Sequence, residues 1–373
     1  MIRRTIVLIL MCAAAKASAA QWLDSPELKQ QQADWQLQKV AEGLKDGWGL
    51  AFLPDQRLLA TSRKPGIVWL LDAEQKTIEK VMQVSDHYRR GQGGLFALWV
   101  DNDFESQPYV YLAKAVPDGR KATTRLMRYR WQDDSLQEEK ILFTAEPWVN
   151  NSGHFGGAIS QDSSGHIYLS VGDRRQQQKA QSTDDHIGTI VRLQRDGKPV
   201  SDNPFVGEGR PEIFSYGHRN PQGIYLTEDD QIWSSEHGPQ GGDEVNLIQP
   251  GKNYGWPVIT HGEQYGGGKI GEGTAKPGME QPVVHYTPSI ATSDMLVYEH
   301  EAIASLQGDI LVASLRSNTV SHLHQQQGQW QEKQRLFAGL NERWRSIKAD
   351  RQGGIWLLAE SGNLYRWSAN SRQ

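Results

Sequence analysis

The sequence predicts an all-β protein folded as a six-bladed β-propeller. Three observations carry that prediction. Short apolar runs alternate with turn residues and show little helical periodicity. A unit of apolar strand, Asp- or Gly-containing turn and second apolar strand recurs six times, at spacings of roughly 50–70 residues, as blades with variable loops require. Ahead of the first unit, Trp35-Gln36-Leu37-Gln38-Lys39-Val40 alternates apolar with polar residues and supplies a strand to close a ring with the last blade.

In chain order, the first segment lies outside the ring. Arg3 and Arg4 precede an apolar run over 6–15, and Ala17-Ser18-Ala19 follows as a small-residue cleavage site. That is the pattern of a bacterial secretory signal peptide, and the apolar run is too short to span a bilayer comfortably. The expectation is a cleaved leader over 1–19 and a periplasmic chain in which 20–373 form one propeller domain. Cys12, the only cysteine, sits in the leader behind Met11, where lipidation would want a small residue. The mature chain then has no thiol, which excludes disulfides, thiolate metal sites, Cys nucleophiles and CxxC redox pairs. Any redox chemistry falls to a bound cofactor. Loss of Arg3, Arg4 and Lys16 leaves 37 bases against 44 acids, a balance of -7. No long basic run appears, which argues against a nucleic-acid partner, and no membrane insertion of the mature chain is expected.

The six units fall at 49–61, 94–112, 156–171, 223–233, 295–312 and 346–358. Gly354-Ile355-Trp356-Leu357-Leu358 is representative: a β-branched and aromatic run bounded by glycine. One such hairpin buries a single face alone, and a ring of six supplies the missing neighbours. Most of the 13 Trp are assigned to packing between blades.

Propellers bind ligands at the channel mouth, on the loops between strands, and five loop clusters carry chemistry. Gly91-Gln92-Gly93-Gly94-Leu95 permits close backbone approach and offers the Gln92 amide; a tight turn is the plainer reading. Gly153-His154-Phe155-Gly156-Gly157 places an imidazole suited to proton abstraction; a histidine that only bonds a loop carbonyl is the plainer reading. Asp173 ends the returning strand, where it can orient that ring. Ser215-Tyr216-Gly217-His218-Arg219-Asn220-Pro221-Gln222-Gly223 concentrates donors, and Arg219 suits an anionic or polarised oxygen. Glu236-His237-Gly238-Pro239-Gln240-Gly241-Gly242-Asp243-Glu244 combines carboxylates with free carbonyls, a set for calcium without EF-hand spacing; a metal-free acidic loop is the alternative. Ser314-Leu315-Arg316 and Arg343-Trp344-Arg345 place cations on late blades, for a polyanion or for surface ion pairs.

Together and in this order, these clusters resemble the soluble pyrroloquinoline quinone (PQQ)-dependent sugar dehydrogenases, and among them the periplasmic aldose sugar dehydrogenase branch. The resemblance runs over 47–367 and is most specific over 216–257. It implies that Gln92 contacts the cofactor, that His154 is the catalytic base with Asp173 as partner, and that Arg219 and Asn220 bind the quinone. It implies that the carbonyls of Gly238 and Pro239 bind calcium and that Glu244 and Tyr254 match calcium positions. Tyr265 matches a cofactor contact. The segments Ser314, Leu315, Arg316 and Arg343, Trp344, Arg345 meet the cofactor, their arginines pairing with its carboxylates. Ala158 stands where relatives often carry arginine, which leaves substrate preference open. The implied reaction oxidises an aldose at the anomeric hydroxyl to the lactone and passes electrons to a periplasmic acceptor, by a monomer or homodimer. A calcium-dependent propeller lactonase or other hydrolase, and a non-catalytic sugar-binding propeller, are the rival readings. The hydrolase leaves the late-blade arginines unexplained.

Overall fold

The six recurring units are the two inner strands of six antiparallel sheets. The structure, a computed structural model, describes residues 20–370; the leader predicted over 1–19 lies outside the described residues. The innermost strands are Gly47–Phe52, Leu95–Val100, Ile159–Gln161, Pro221–Leu226, Thr292–Val297 and Trp344–Ala349. Each touches the next in that order, and the last touches the first, so the sheets close into a ring. Second strands such as Leu58–Ser62, Ile167–Val171 and Ile355–Ala359 are buried at every residue. Neighbouring blades cover both faces of each sheet, which is why these strands read as continuous apolar runs without alternation.

Five sheets have four strands, and the sixth has five. Its order runs Trp344–Ala349, Ile355–Ala359, Leu364–Ala369, and then two strands from the chain start, Trp35–Glu42 and Gln21–Gln31. The expected closing strand is therefore present, with Leu37 opposite Trp367. Aromatic packing fastens the seam. Trp35 meets Trp367 edge-on at 5.3 Å between ring centroids, and Phe337 meets Trp367 at 5.0 Å. The outermost strand Gln21–Gln31 escaped the sequence reading. It is mostly exposed, irregular in register and contains Pro26, features of an edge strand, which needs no alternating core face.

Candidate active site

In an antiparallel hairpin, the start of the first strand and the end of the second lie together. Residues that precede inner strands or follow second strands therefore collect at one mouth of the ring. Most of the chemical residues occupy such positions: His154, Arg219, Asn220 and Arg343 before inner strands, Arg63, Asp173, His237, Gly238, Leu315, Arg316 and Glu360 after second strands. At the opposite end a cavity of about 490 Å³, lined by Phe52, Trp99, Phe104 and Tyr225 among others, contains none of them.

His154 and Asp173 form a buried pair. His154 Nδ1 lies 2.6 Å from Asp173 Oδ1, and the residues are 8% and 1% exposed. The His154 backbone is left-handed, at φ 51°, and three contacts hold it there. Its N–H donates to Gln92 Oε1 at 2.6 Å. The N–H of Gly156 donates to Asn220 Oδ1 at 3.1 Å. Arg174, 1% exposed, donates to the carbonyls of Gly153, Asn151 and Ala122 and lies over the Phe155 ring. Gly172 is required beside the pair, because a Cβ there would sit 2.3 Å from the His154 carbonyl oxygen. The second Asp173 oxygen accepts from Trp256 Nε1 at 2.8 Å.

Burial is the largest influence on both groups. It pushes the His154 pKa below its usual 6.5; the Asp173 hydrogen bond opposes this, and Arg219 and Arg175 add to it. For Asp173 burial acts upward, but the hydrogen bond and charge of His154, together with Arg219, hold its carboxyl below the usual range. Ionised Asp173 can only accept, so the imidazole proton sits on Nδ1 and leaves the Nε2 lone pair free. Among the described residues Nε2 has no hydrogen-bond partner.

These shifts set a pH dependence of stability. Burial also lowers His87 and His322 below 6.5 in the folded chain. Above that pH both folded and unfolded states are neutral at these rings. Below it the unfolded chain takes up protons that the folded chain refuses, so stability falls with pH. The melting temperature should be lower at pH 5.5 than at pH 7.5; an unchanged value would contradict buried neutral imidazoles.

A guanidinium cluster adjoins the pair. Arg219 Nη1 donates to the His237 carbonyl at 3.0 Å, its N–H donates to Glu236 Oε2 at 3.0 Å, and its head lies 5.3 Å from the Trp256 ring centre. Arg345 is buried over Trp48 at 3.8 Å and donates to Gln222 Oε1 at 2.8 Å. Burial pushes its pKa down to about 9. Arg343 donates to the Leu315 carbonyl at 2.9 Å and pairs with Glu360, the same carboxylate that stands 3.6 Å from both Arg345 and Arg63. One carboxylate thus serves three arginines. The buried Nε atoms of Arg219 and Arg345 have no acceptor, and a buried unpaired donor is costly unless a ligand meets it.

The acidic loop is folded tightly. Asp243 accepts from the Gly238 N–H at 2.9 Å and from Ser289 and Ala291, both at 2.6 Å. A Cβ on Gly238 would lie 2.2 Å from the Gly242 oxygen. No main-chain N–H of the described residues donates to the carbonyls of Gly238 or Pro239. Glu244 stands directly opposite Glu236 on the neighbouring strand. Burial first, and the Glu236 charge second, raise the Glu244 carboxyl well above its ordinary value. Both glutamates border a void of about 10 Å³, with Tyr254, Trp256 and Thr260 on its wall; a single water or ion fits such a space. The Tyr254 hydroxyl is already committed to Leu247 and Gln249, which leaves its main-chain carbonyl as the available ligand.

The remaining expected residues differ in what they offer the mouth. The Trp344 side chain is fully buried in the core between Phe337 and Tyr365, and its carbonyl accepts from Ser293 Oγ at 2.7 Å. Ser314 Oγ is spent on the Thr319 carbonyl at 2.7 Å. Leu315 is buried, and Arg316 is exposed beyond it. Tyr265 stands 74% exposed on a loop of consecutive glycines, Gly266, Gly267 and Gly268. Ala158 is buried among Tyr168, Phe214 and Ile224. Four contributors escaped the sequence reading: Arg63, Trp256, Arg174 and Glu360. Trp256 falls within the segment 216–257 and Arg174 directly follows Asp173, but nothing local indicated their partners.

The chain matches the glucose/sorbosone dehydrogenase family over residues 44–366. It is 33% identical over 339 residues to the aldose sugar dehydrogenase YliI of Escherichia coli, covering 88% of this chain and 91% of that one. The crystal structure of the soluble aldose sugar dehydrogenase of Escherichia coli, in its apo-form, superposes with a TM-score of 0.85 at 32% identity, covering 90% of this chain and 99% of that one. The PQQ-bound aldose sugar dehydrogenase of Streptomyces coelicolor gives a TM-score of 0.76 at 25% identity, covering 94% and 100% of the two chains.

Proposed function

The chain belongs to the glucose/sorbosone dehydrogenase family, and from that membership we propose that it oxidises aldoses at the anomeric hydroxyl to lactones, with PQQ and calcium as cofactors and His154 as general base. One observation carries the reading: a buried imidazole oriented by a carboxylate adjoins a guanidinium cluster with unsatisfied donors. A hydrolase or a passive sugar binder has no need of that cluster. Its excess of fork-shaped donors over carboxylates fits a planar polycarboxylate such as PQQ. The unpaired carbonyls of Gly238 and Pro239, with the opposed Glu236 and Glu244, fit a hard cation such as calcium.

Bound PQQ would supply a two-electron acceptor, and calcium the Lewis acidity that polarises it. The residues supply position and field. Arg343, Arg345 and Arg316 would hold cofactor carboxylates. Arg219, Asn220 and Gln92 would face the quinone, Arg219 stabilising negative charge as it develops on oxygen. Gly238, Pro239, Glu244 and the Tyr254 carbonyl would hold calcium. His154 Nε2 would take the proton of the anomeric hydroxyl, and Asp173 would stabilise the resulting imidazolium. Because the base must be neutral, turnover should rise with pH through a midpoint below 6.5. Leader cleavage to a periplasmic enzyme, and an acceptor that reoxidises the cofactor there, complete the proposal.

The test is reconstitution. Dye reduction by aldoses should be absent from the purified chain and appear on addition of PQQ and calcium. No gain with any aldose, despite folded protein and demonstrated PQQ binding, would sink the proposal. Calcium alone should raise the melting temperature by mass action. Glu244→Gln should remove most of that rise, and an undiminished rise would take Glu244 out of the cation site.

A further inference from the structure

We propose that Arg175 selects aldoses that carry an anionic group, a carboxylate or a phosphate, away from the anomeric carbon. The inference rests on the reading of this mouth as a sugar site. Arg175 follows the buried Asp173 and Arg174 on the loop beside the imidazole. Its backbone is left-handed, at φ 59°, and its N–H donates to Asp173 Oδ1 at 2.7 Å. The base-orienting carboxylate therefore also fixes the root of this side chain. The side chain runs along Gly153, immediately before His154: its Nε lies 2.7 Å from where a Cβ on Gly153 would sit. Its charge is close enough to weigh on the imidazole.

Arg175 is exposed, and among the described residues its guanidinium has neither an ion pair nor a hydrogen bond. Arg316 is likewise exposed without an ion pair among the described residues, but it follows a different blade and would hold a cofactor carboxylate. The remaining cations nearest the pair are engaged. Arg63, Arg343 and Arg345 share Glu360, Arg63 also binds Asp46 at 2.9 Å, and Arg219 is turned toward the His237 carbonyl. Arg174 is sealed in the core of its loop. Exposed Arg89 and Arg90 lie on the loop that Gln92 ties to Ser152 and His154, the segment along which Arg175 runs. The chain as a whole carries more acids than bases, 44 against 40. A free guanidinium beside the base is thus a local field set against the net charge, and such a field draws anions to a cleft. A neutral hexose offers a guanidinium little more than water does. A carboxylate or phosphate offers a charge-assisted, two-pronged contact.

The experiment compares glucose, glucuronate and glucose 6-phosphate. Binding is followed by NMR titration, on the protein as purified and on the PQQ- and calcium-loaded protein, and turnover by dye reduction. In the wild type, at least one charged sugar should bind about fivefold tighter than glucose, the scale of an exposed ion pair. The margin should shrink as salt is raised. Arg175→Gln should erase it and change glucose binding by less than about twofold, as for an exposed surface substitution. Arg175→Glu should turn the preference against the charged sugars. A lead for glucuronate identifies a carboxylate as the recognised group, and a lead for glucose 6-phosphate identifies a phosphate. Equal binding of all three sugars in the wild type overturns the proposal, whether or not glucose is turned over. A charge preference that survives in Arg175→Gln overturns it equally. Failure of the dehydrogenase reading shows separately, as no dye reduction with any sugar, and the binding comparison still decides the role of Arg175.

Discussion

Replacing His154 with alanine should cost about 10²–10⁴-fold in turnover, the usual range for a lost general base, which corresponds to roughly 3–5 kcal/mol of barrier. PQQ affinity should stay near that of the wild type, because the imidazole bonds Asp173 and none of the arginines. The fold should survive, since His154 lies in a loop that Gln92, Asn220 and Arg174 hold by main-chain contacts. Its left-handed backbone adds one control. Asparagine tolerates that conformation better than alanine, so His154→Asn separates loss of the base from loop strain. Single-turnover reduction of bound PQQ is the measurement. A variant that binds PQQ normally and reduces it at the wild-type rate would remove His154 from the chemistry. Asp173→Asn should cost less, because the ring remains and only its orienting anion is lost.

Trp344→Ala should destabilise the protein by about 3–5 kcal/mol, the cost of emptying a large buried aromatic site. The ring packs edge-on against Tyr365 at 4.9 Å and Phe337 at 5.9 Å, in the cluster that also holds Trp35 and Trp367 at the ring closure. Loss of activity should therefore follow unfolding and not selective cofactor loss. Denaturant unfolding followed by fluorescence, with PQQ titration at a temperature where the variant is folded, measures both. Near wild-type stability combined with a large fall in PQQ affinity would place the side chain in the site after all.

The contrast between Trp344 and its neighbours shows how far local pattern carries. Period two along a strand sends Arg343 and Arg345 to one side and the residue between them to the other. The motif therefore marked the right segment but could not make all three side chains face a ligand. A register irregularity lies between Trp344 and Ser346. Arg345 is buried over Trp48, whereas Arg343 is half-exposed on Glu360. Tyr265 is similar: the resemblance offers it as a cofactor contact, but it stands exposed beside three glycines with open space around them.

The sequence by itself determined the two inner strands of each blade, their sixfold recurrence, the closing strand and most of the chemical inventory of the mouth. These depend on local information: apolar runs between turn residues, and motifs whose donors lie within a few positions of one another. Only the tertiary structure decided which of those groups touch. Asp173 is held by Trp256, 83 residues away, and Arg345 meets Gln222 across 123 residues. Glu360 is divided among arginines of two blades. Ring closure brings such partners together, and strand periodicity carries no record of it. Because both faces of each blade are covered, burial pattern does not distinguish a side chain that faces the channel from one that faces the next sheet.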